Sequence, residues 1–200
     1  MAKKTKNDIV EIGYQGEECS NSHLASKMFS KKIKNSQLFP MVTSESVVDF
    51  ISEDNKRYGV VAVKNNIGGV VSETKNALSG IDFDIVDELT LRIDHCLCMP
   101  QGSNYVELDK VYSHPQALLQ CSQYLTESLP GVSEVAFEDT ALAAKQLAQD
   151  MLPPNSAVIC NREAAKKYGL QIIDEDLCNS GSFTKFILFK KKKNLKSTAH

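Results

Sequence analysis

Three observations predict an α/β fold. Apolar runs of strand character alternate with stretches of helical spacing along the whole chain. Helical stretches open on capping residues, and several close on glycine or proline. The 200 residues suffice for one large domain or two small lobes that bury roughly 70% of the unfolded surface.

Residues 9–14 (Ile-Val-Glu-Ile-Gly-Tyr) predict a first strand. A turn over 15–21 follows, and Ser22 can cap a helix that carries Leu24, Ala25, Met28 and Phe29. Residues 38–42 are a short strand. The run Thr43-Ser-Glu-Ser opens a helix whose apolar face is Val47, Val48, Phe50 and Ile51. Residues 58–63 (Tyr-Gly-Val-Val-Ala-Val) are a buried strand, and the glycine-containing turn at 64–69 leads to a helix around 70–78 that Gly80 ends. Residues 83–99 are apolar at alternate positions, which predicts one long or broken strand.

Val111-Tyr-Ser-His-Pro-Gln opens a helix with Pro115 in its first turn and a stripe of Ala117, Leu118, Cys121, Tyr124 and Leu125, closed by Pro130-Gly131. A strand over 132–137 leads to a helix from Asp139-Thr140 through Met151, stopped by Pro153-Pro154. A strand at 157–159, a helix at 162–168 ended by Gly169, a short strand at 171–173 and a last strand at 183–189 complete the chain. This cadence predicts a mainly parallel sheet with helices on both faces. Ligands of such sheets sit beyond the C-terminal ends of the strands, where helix N-termini present unpaired amides. Ser20–Ser22, Asn65–Asn66, Ser113–Gln116 and Asp139–Thr140 are the polar turns so placed.

Composition narrows the class. With 42% hydrophobic, 24% charged and 7% aromatic residues, the chain is neither disordered, collagen-like nor a coiled coil. No apolar run approaches the ~20 residues of a membrane span, and no secretory leader is visible. The net charge of −2 conceals a pattern: Lys3, Lys4 and Lys6 and Lys190–Lys193 with Lys196 crowd the two ends. The body between them holds 15 bases against 25 acids. The ends are expected to be solubilising tails, and the acidic body argues against nucleic-acid and membrane partners. Six cysteines without a Cys-x-x-Cys pair are expected to be reduced thiols of a cytoplasmic protein. Cys96 and Cys98 share a strand face, but with His95 alone nearby they do not make a metal site, so neither metal nor cofactor is expected. His23 is expected on a helix surface, Cys121 in a core and Arg92 on a strand surface.

Val111-Tyr-Ser-His-Pro-Gln-Ala-Leu-Leu-Gln-Cys resembles the Ser-His-Pro-Gln-Ala-Leu-x-Gln-Cys signature of prephenate dehydratases. Five other stretches stand in register. Tyr14-Gln-Gly with Ser22 resembles the first glycine loop. Residues 59–69 fall at Pro-Ile-Glu-Asn-Ser-x-x-Gly, and Asp139-Thr-Ala falls at Ser-Thr-Ala. Ala164-Ala-x-x-Tyr168-Gly-Leu matches its counterpart, and Thr184-Lys-Phe falls at Thr-Arg-Phe. The resemblance implies a two-lobed, periplasmic-binding-protein-like fold with the active site in the inter-lobe cleft, in a homodimer. It implies a catalytic domain at 8–190, with one lobe at 8–79 and 178–190 and the other at 80–177. The lysines mark 191–200 as a basic tail, and, as a departure from the family, no regulatory domain is expected. It implies Thr184 as the catalytic hydroxyl, with Ser22, Asn65, Asn66, Ser113, His114, Gln116, Thr140 and Phe186 binding the substrate prephenate.

The departures from the family are expectations of a different kind. Lys64 stands at the family's Glu, Asn66 at its Ser, Lys185 at its Arg, Asp139 at its first Ser and Cys19 at its glycine. Glu to Lys reverses a charge, and Arg to Lys removes a bidentate fork. With Lys64 and Lys185 taken as catalytic, the expected activity is decarboxylation of prephenate without aromatisation, as in relatives that serve antibiotic biosynthesis. The alternatives are a divergent prephenate dehydratase and a non-catalytic small-anion-binding module.

Overall fold

The computed structural model describes residues 9–178 and 181–192. Residue 8, the lysines at 3, 4, 6, 193 and 196, and nearly all of the expected basic tail lie outside them.

Two mixed sheets, each covered by helices on both faces, form two lobes. The first sheet takes β1 (Val10–Tyr14), β2 (Ser36–Pro40), β3 (Tyr58–Asn65), the short β4 (Gly69–Val70) and β5 (Phe83–Ile93). Its remaining strand is the last of the chain, β11 (Ser182–Lys191). The order is β2-β1-β3-β11-β5, with β1 parallel to its neighbours and β11 antiparallel to both of its own. The second sheet runs β10-β6-β9-β7-β8. Its strands are β6 (His95–Met99), β7 (Lys110–Ser113), β8 (Ser133–Ala136), β9 (Ser156–Asn161) and β10 (Gln171–Asp174). β7 is parallel to β8 and β9, whereas β6 is antiparallel to β9 and β10. The expected mainly parallel sheet is therefore two mixed ones, because β11 and β6 enter without a crossover helix.

Helix α1 (Asn21–Ser30) buries Ala25 and Phe29 on one face of the first sheet. Helix α2 (Ser44–Glu53) buries Val47, Val48 and Ile51 on the other. A short α3 (Ser72–Ala77) follows β4. On the second sheet, α6 (Thr140–Ala148) and α7 (Arg162–Lys167) cover one face. Helices α4 (Pro115–Gln120) and α5 (Ser122–Ser128) cover the other. Among the described residues no helix is long and apolar enough to cross a membrane.

Five expectations need correction. The cap of α1 is Ser20, whose side chain accepts the His23 amide, rather than Ser22. Residues 110–113 are a strand, where a helix opening was expected: Val111 packs into the core as the chain rises to the turn that α4 leaves. The helix beyond breaks at Cys121 into α4 and α5. The apolar alternation over 83–99 is two strands in two sheets, so the lobe crossing falls at Asp94 rather than near residue 80. His23, expected on a surface, is buried and stacks on Tyr14 at 4.9 Å. Arg92 is exposed and pairs with Asp94 and Asp176.

Candidate active site

A cavity of about 90 Å3 lies between the two sheets, at the C-terminal ends of their parallel strands. Its walls include Ser20, Ser22, Asn65, His95, His114, Gln116, Gln120, Asp139, Thr140, Thr184 and Phe186. The lobes meet through named contacts. The Asn161 side chain donates to the Cys19 carbonyl (2.8 Å) and to Asn21 Oδ1 (2.9 Å). Lys27 pairs with Glu163 and Lys145 with Glu17, both at 3.4 Å, and Lys167 pairs with Glu18.

The centre of the first-lobe wall is made by a bulge. β3 and β11 pair Lys64 with Lys185 and Asn65 with Thr184, but Ala62 with Phe186. The extra residue on β3, Val63, breaks the alternation so that Ala62 and Asn65 face the same side. Thr184 and Phe186 lie opposite them and face the cavity too. The Asn65 carboxamide is fully engaged: Oδ1 accepts the Ile67 (2.8 Å) and Gly68 (3.1 Å) amides. Its Nδ2 donates to Thr184 Oγ1 at 2.9 Å, and to Ser182 Oγ and the Phe183 carbonyl at 3.1 Å. Thr184, buried to 8% exposure, thus accepts from Asn65, and no acceptor among the described residues takes its own proton. A hydroxyl so polarised is a better donor than a free one, and its only open direction is the cavity.

The bulge also determines where two expected catalytic residues lie. Lys64 and Lys185 stand on the face away from Asn65 and Thr184 and do not line the cavity. Lys64 is exposed, and Lys185 pairs with Glu88 on β5 at 2.7 Å. Asn66 is exposed and spent on the Gly181 carbonyl and the Phe183 amide. Ser113 lies beneath the cavity floor, fully buried, its hydroxyl donating to the Ile159 carbonyl at 2.7 Å. The structure brings together Ser22, Asn65, His114, Gln116, Thr140, Thr184 and Phe186 from the expected set.

Three helix N-termini point at the cavity. Among the described residues the Asn21 and Ser22 amides of α1 and the Thr140 amide of α6 have no acceptor, and these carry the positive end of the helix dipole. On α4, His114 Nδ1 accepts the Gln116 amide at 3.2 Å. Gln116 lies against Gly68: a Cβ there would fall 2.2 Å from Gln116 Oε1, an atom that is buried without a partner. The side chain is thus held in place with one acceptor still unused.

Residues not singled out as site residues in the sequence also line the wall. Asp139 Oδ1 caps α6 by accepting the Ala141 and Leu142 amides (2.9 and 2.8 Å). Burial pushes its carboxyl above the usual range, and those amides oppose the shift. Gln120 Oε1 accepts from His95 Nε2 (2.5 Å) and Ser182 Oγ (3.0 Å). Burial lowers the His95 pKa, which keeps the ring neutral. Glu73, from α3, stands outside this wall, in the neighbouring hollow beside His114. It accepts the Ser44 amide at 2.9 Å and the Gln15 side chain at 3.1 Å, and approaches His114 Nε2 at 3.9 Å. His114 foremost, then the Ser44 amide, lowers the Glu73 pKa against the opposing effect of burial. The signal for Gln120 was present in Ser-His-Pro-Gln-Ala-Leu-x-Gln, one helical turn beyond Gln116. For His95 and Glu73, brought in by other elements, there was none.

Comparison with known proteins gives the family. The sequence pattern of the prephenate dehydratase family matches residues 12–194. Arogenate dehydratase/prephenate dehydratase 2, chloroplastic, of Arabidopsis thaliana is 31% identical over 184 residues, 92% of this chain and 47% of that protein. The bifunctional chorismate mutase/prephenate dehydratase of Escherichia coli K12 is 28% identical over 90% of this chain and 47% of its own length. The chain therefore spans about half the length of these curated relatives. A solved prephenate dehydratase of Arthrobacter aurescens, in complex with L-Phe, superposes with a TM-score of 0.77 at 24% identity, covering 93% of this chain and 62% of its own. A structure described as a novel type of quorum quenching acylase superposes at 0.71 and 23% identity, covering 92% and 64%. Likeness at that level shows the fold alone.

Proposed function

The chain belongs to the prephenate dehydratase family, and on that premise we propose that its cleft removes carbon dioxide and water from prephenate. One observation carries the reading: the Thr184 hydroxyl lines the cavity, accepts from Asn65 and has no acceptor for its own proton among the described residues. Prephenate carries a ring carboxylate and, opposite it, a hydroxyl. As the carboxylate leaves as CO2, its bonding electrons enter the ring, the ring becomes aromatic and the carbon–oxygen bond of the hydroxyl breaks. The departing oxygen takes the Thr184 proton and leaves as water. Thr184 is then reprotonated from solvent, so one proton is consumed per turnover. The Asn65 donor stabilises the oxygen of Thr184 while it lacks its proton. The unpaired Asn21, Ser22 and Thr140 amides hold carboxylates, which an acidic body could not otherwise attract. Gln116 contributes its amide group to the same pocket.

The same cleft would decarboxylate without aromatisation if the hydroxyl were not protonated. That reading leaned on Lys64 and Lys185, which do not line the cavity. A cytoplasmic setting fits the six free thiols. A homodimer would give a partner to β5, a long strand at the edge of the first sheet.

Incubation with prephenate and, separately, with arogenate, followed by proton NMR, tests the reading. Aromatic phenylpyruvate from prephenate is the expected result. A product that keeps its hydroxyl and its vinyl ring protons would replace it with the non-aromatising decarboxylase. Turnover of arogenate alone would change the substrate, and neither substrate consumed would leave an anion-binding module.

A further inference from the structure

Behind the cavity, His95, Cys121 and Cys178 bring one ring nitrogen and two sulfur atoms within 4.8 Å of one another. They come from three places in the chain: the start of β6, the α4–α5 junction, and the segment that returns from the second lobe toward β11. The two cysteines singled out in the sequence are not part of it. Cys96 and Cys98 lie on the opposite face of β6 from His95, in the α6–α7 core. Cys98 there meets Cys160 without a histidine.

We propose that His95, through Nδ1, Cys121 and Cys178 bind a single Zn2+ ion, with a water molecule as the fourth ligand. Four features carry this. The two sulfurs are 3.7 Å apart, and two ligands on a tetrahedral ion with Zn–S bonds of about 2.3 Å are separated by about 3.8 Å. The thiols therefore already stand at the spacing that zinc requires. His95 Nδ1 is buried without a hydrogen-bond partner, and its residue is 2% exposed. Its other nitrogen donates to Gln120 Oε1 at 2.5 Å, which is how the second nitrogen of a metal-bound histidine is ordinarily held. Nitrogen and sulfur together are the donor set that selects zinc over calcium and magnesium.

Charge balances as well. Binding releases two thiol protons to solvent, and two thiolates with a neutral imidazole cancel the dication, so the buried site ends neutral. The site would tie the crossing segment to the second lobe. Through Gln120, Ser182 and Asn65 it is linked by hydrogen bonds to Thr184. The inference stands apart from the lyase reading, since nothing in the donor set depends on which reaction the cleft performs.

Reduced, metal-free protein titrated anaerobically with Co2+ tests it. Thiolate-to-cobalt charge-transfer absorption, with visible bands of tetrahedral strength, should saturate at one ion per chain and vanish on adding Zn2+. Cys178→Ser, at a half-buried position, should weaken Zn2+ binding by at least the ~10–100-fold typical of a lost supporting contact. His95→Gln should do the same. Zn2+ should also protect Cys178 of the unaltered protein from alkylation, read by peptide mass, which needs no variant to fold. Absence of the charge-transfer band, a band of unchanged strength and affinity in Cys178→Ser, or Cys178 alkylation unaffected by Zn2+ would each overturn the site.

Discussion

The weight on Thr184 can be tested without disturbing its surroundings. Asn65 Nδ2 carries two hydrogens and meets three acceptors, so removing the Thr184 hydroxyl still leaves it Ser182 and the Phe183 carbonyl. Thr184→Val, which keeps the shape, should fold normally. It should lower kcat by the ~10²–10⁴-fold typical of a lost general acid, while Thr184→Ser retains most turnover. Steady-state kinetics on prephenate separate these outcomes, and a Thr184→Val enzyme at full rate would remove Thr184 from the mechanism. Asp139 is the second single-residue case. It places a carboxylate on a wall that must receive a dianion. Asp139→Ser keeps the cap of α6, because serine also accepts N-terminal amides. Relieving about 1 kcal/mol of like-charge repulsion at the edge of a wet site predicts a KM about fivefold lower. The Asp139 pKa is raised. Its charge therefore fades as pH falls toward that value, and the KM advantage of Asp139→Ser should shrink on acidification and be largest at neutral pH.

At the scale of elements, α3 shows how one side chain can join three of them. Glu73 receives the amide that starts α2, the Gln15 side chain beyond β1, and His114 before α4. Because its pKa is lowered in the fold, its contribution to stability is present above the unfolded carboxylate value of about 4.3. That contribution is lost as pH falls through the folded value. Its side chain is 41% exposed, so solvent screens the effect, and Glu73→Gln should cost only about 1 kcal/mol at pH 7. Urea unfolding at pH 7 and pH 4 should show that difference narrowing on acidification. A constant difference would assign the loss to packing instead.

Elements differ in how far they were legible in the sequence. α2 and its Thr43 cap were legible because an apolar period and a capping sequence coincide there. β7 was not, since four residues before a proline-started helix are too few to show a period. Nor was the boundary at Asp94, because apolar alternation is the same whether two strands share a sheet or not. The faces of Lys64 and Lys185 were least legible of all. Motif register aligns residues one by one, while a single bulge decides which of two neighbours looks into the cleft. Asn65, Gln116 and Thr184 were found because their motifs carry them, and Glu73 and His95 were missed because tertiary folding alone brings them in.

For the whole molecule, charge sets an expectation opposite to that of most enzymes with anionic substrates. The chain carries −2 overall, and its body has 15 bases against 25 acids. The groups proposed to hold the substrate carboxylates are amides at helix ends, which act over a single turn and not at a distance. A dianion approaching this surface is therefore repelled at long range and captured only at contact. Salt screens the first effect far more than the second. The Debye length shortens from about 30 Å at 0.01 M to about 8 Å at 0.15 M. Over that range kcat/KM for prephenate should rise by a few-fold, with kcat unchanged, because encounter improves while the chemistry does not. Ion pairs that close the cleft, such as Lys27 with Glu163, pull the other way, since salt loosens them too. These are surface or half-buried pairs worth at most about 1 kcal/mol each, so the encounter effect dominates. Rates measured at fixed pH in a non-coordinating salt decide it. A kcat/KM that falls with salt would mean that basic groups guide the substrate after all, and the lysines at the chain ends would be the first to neutralise.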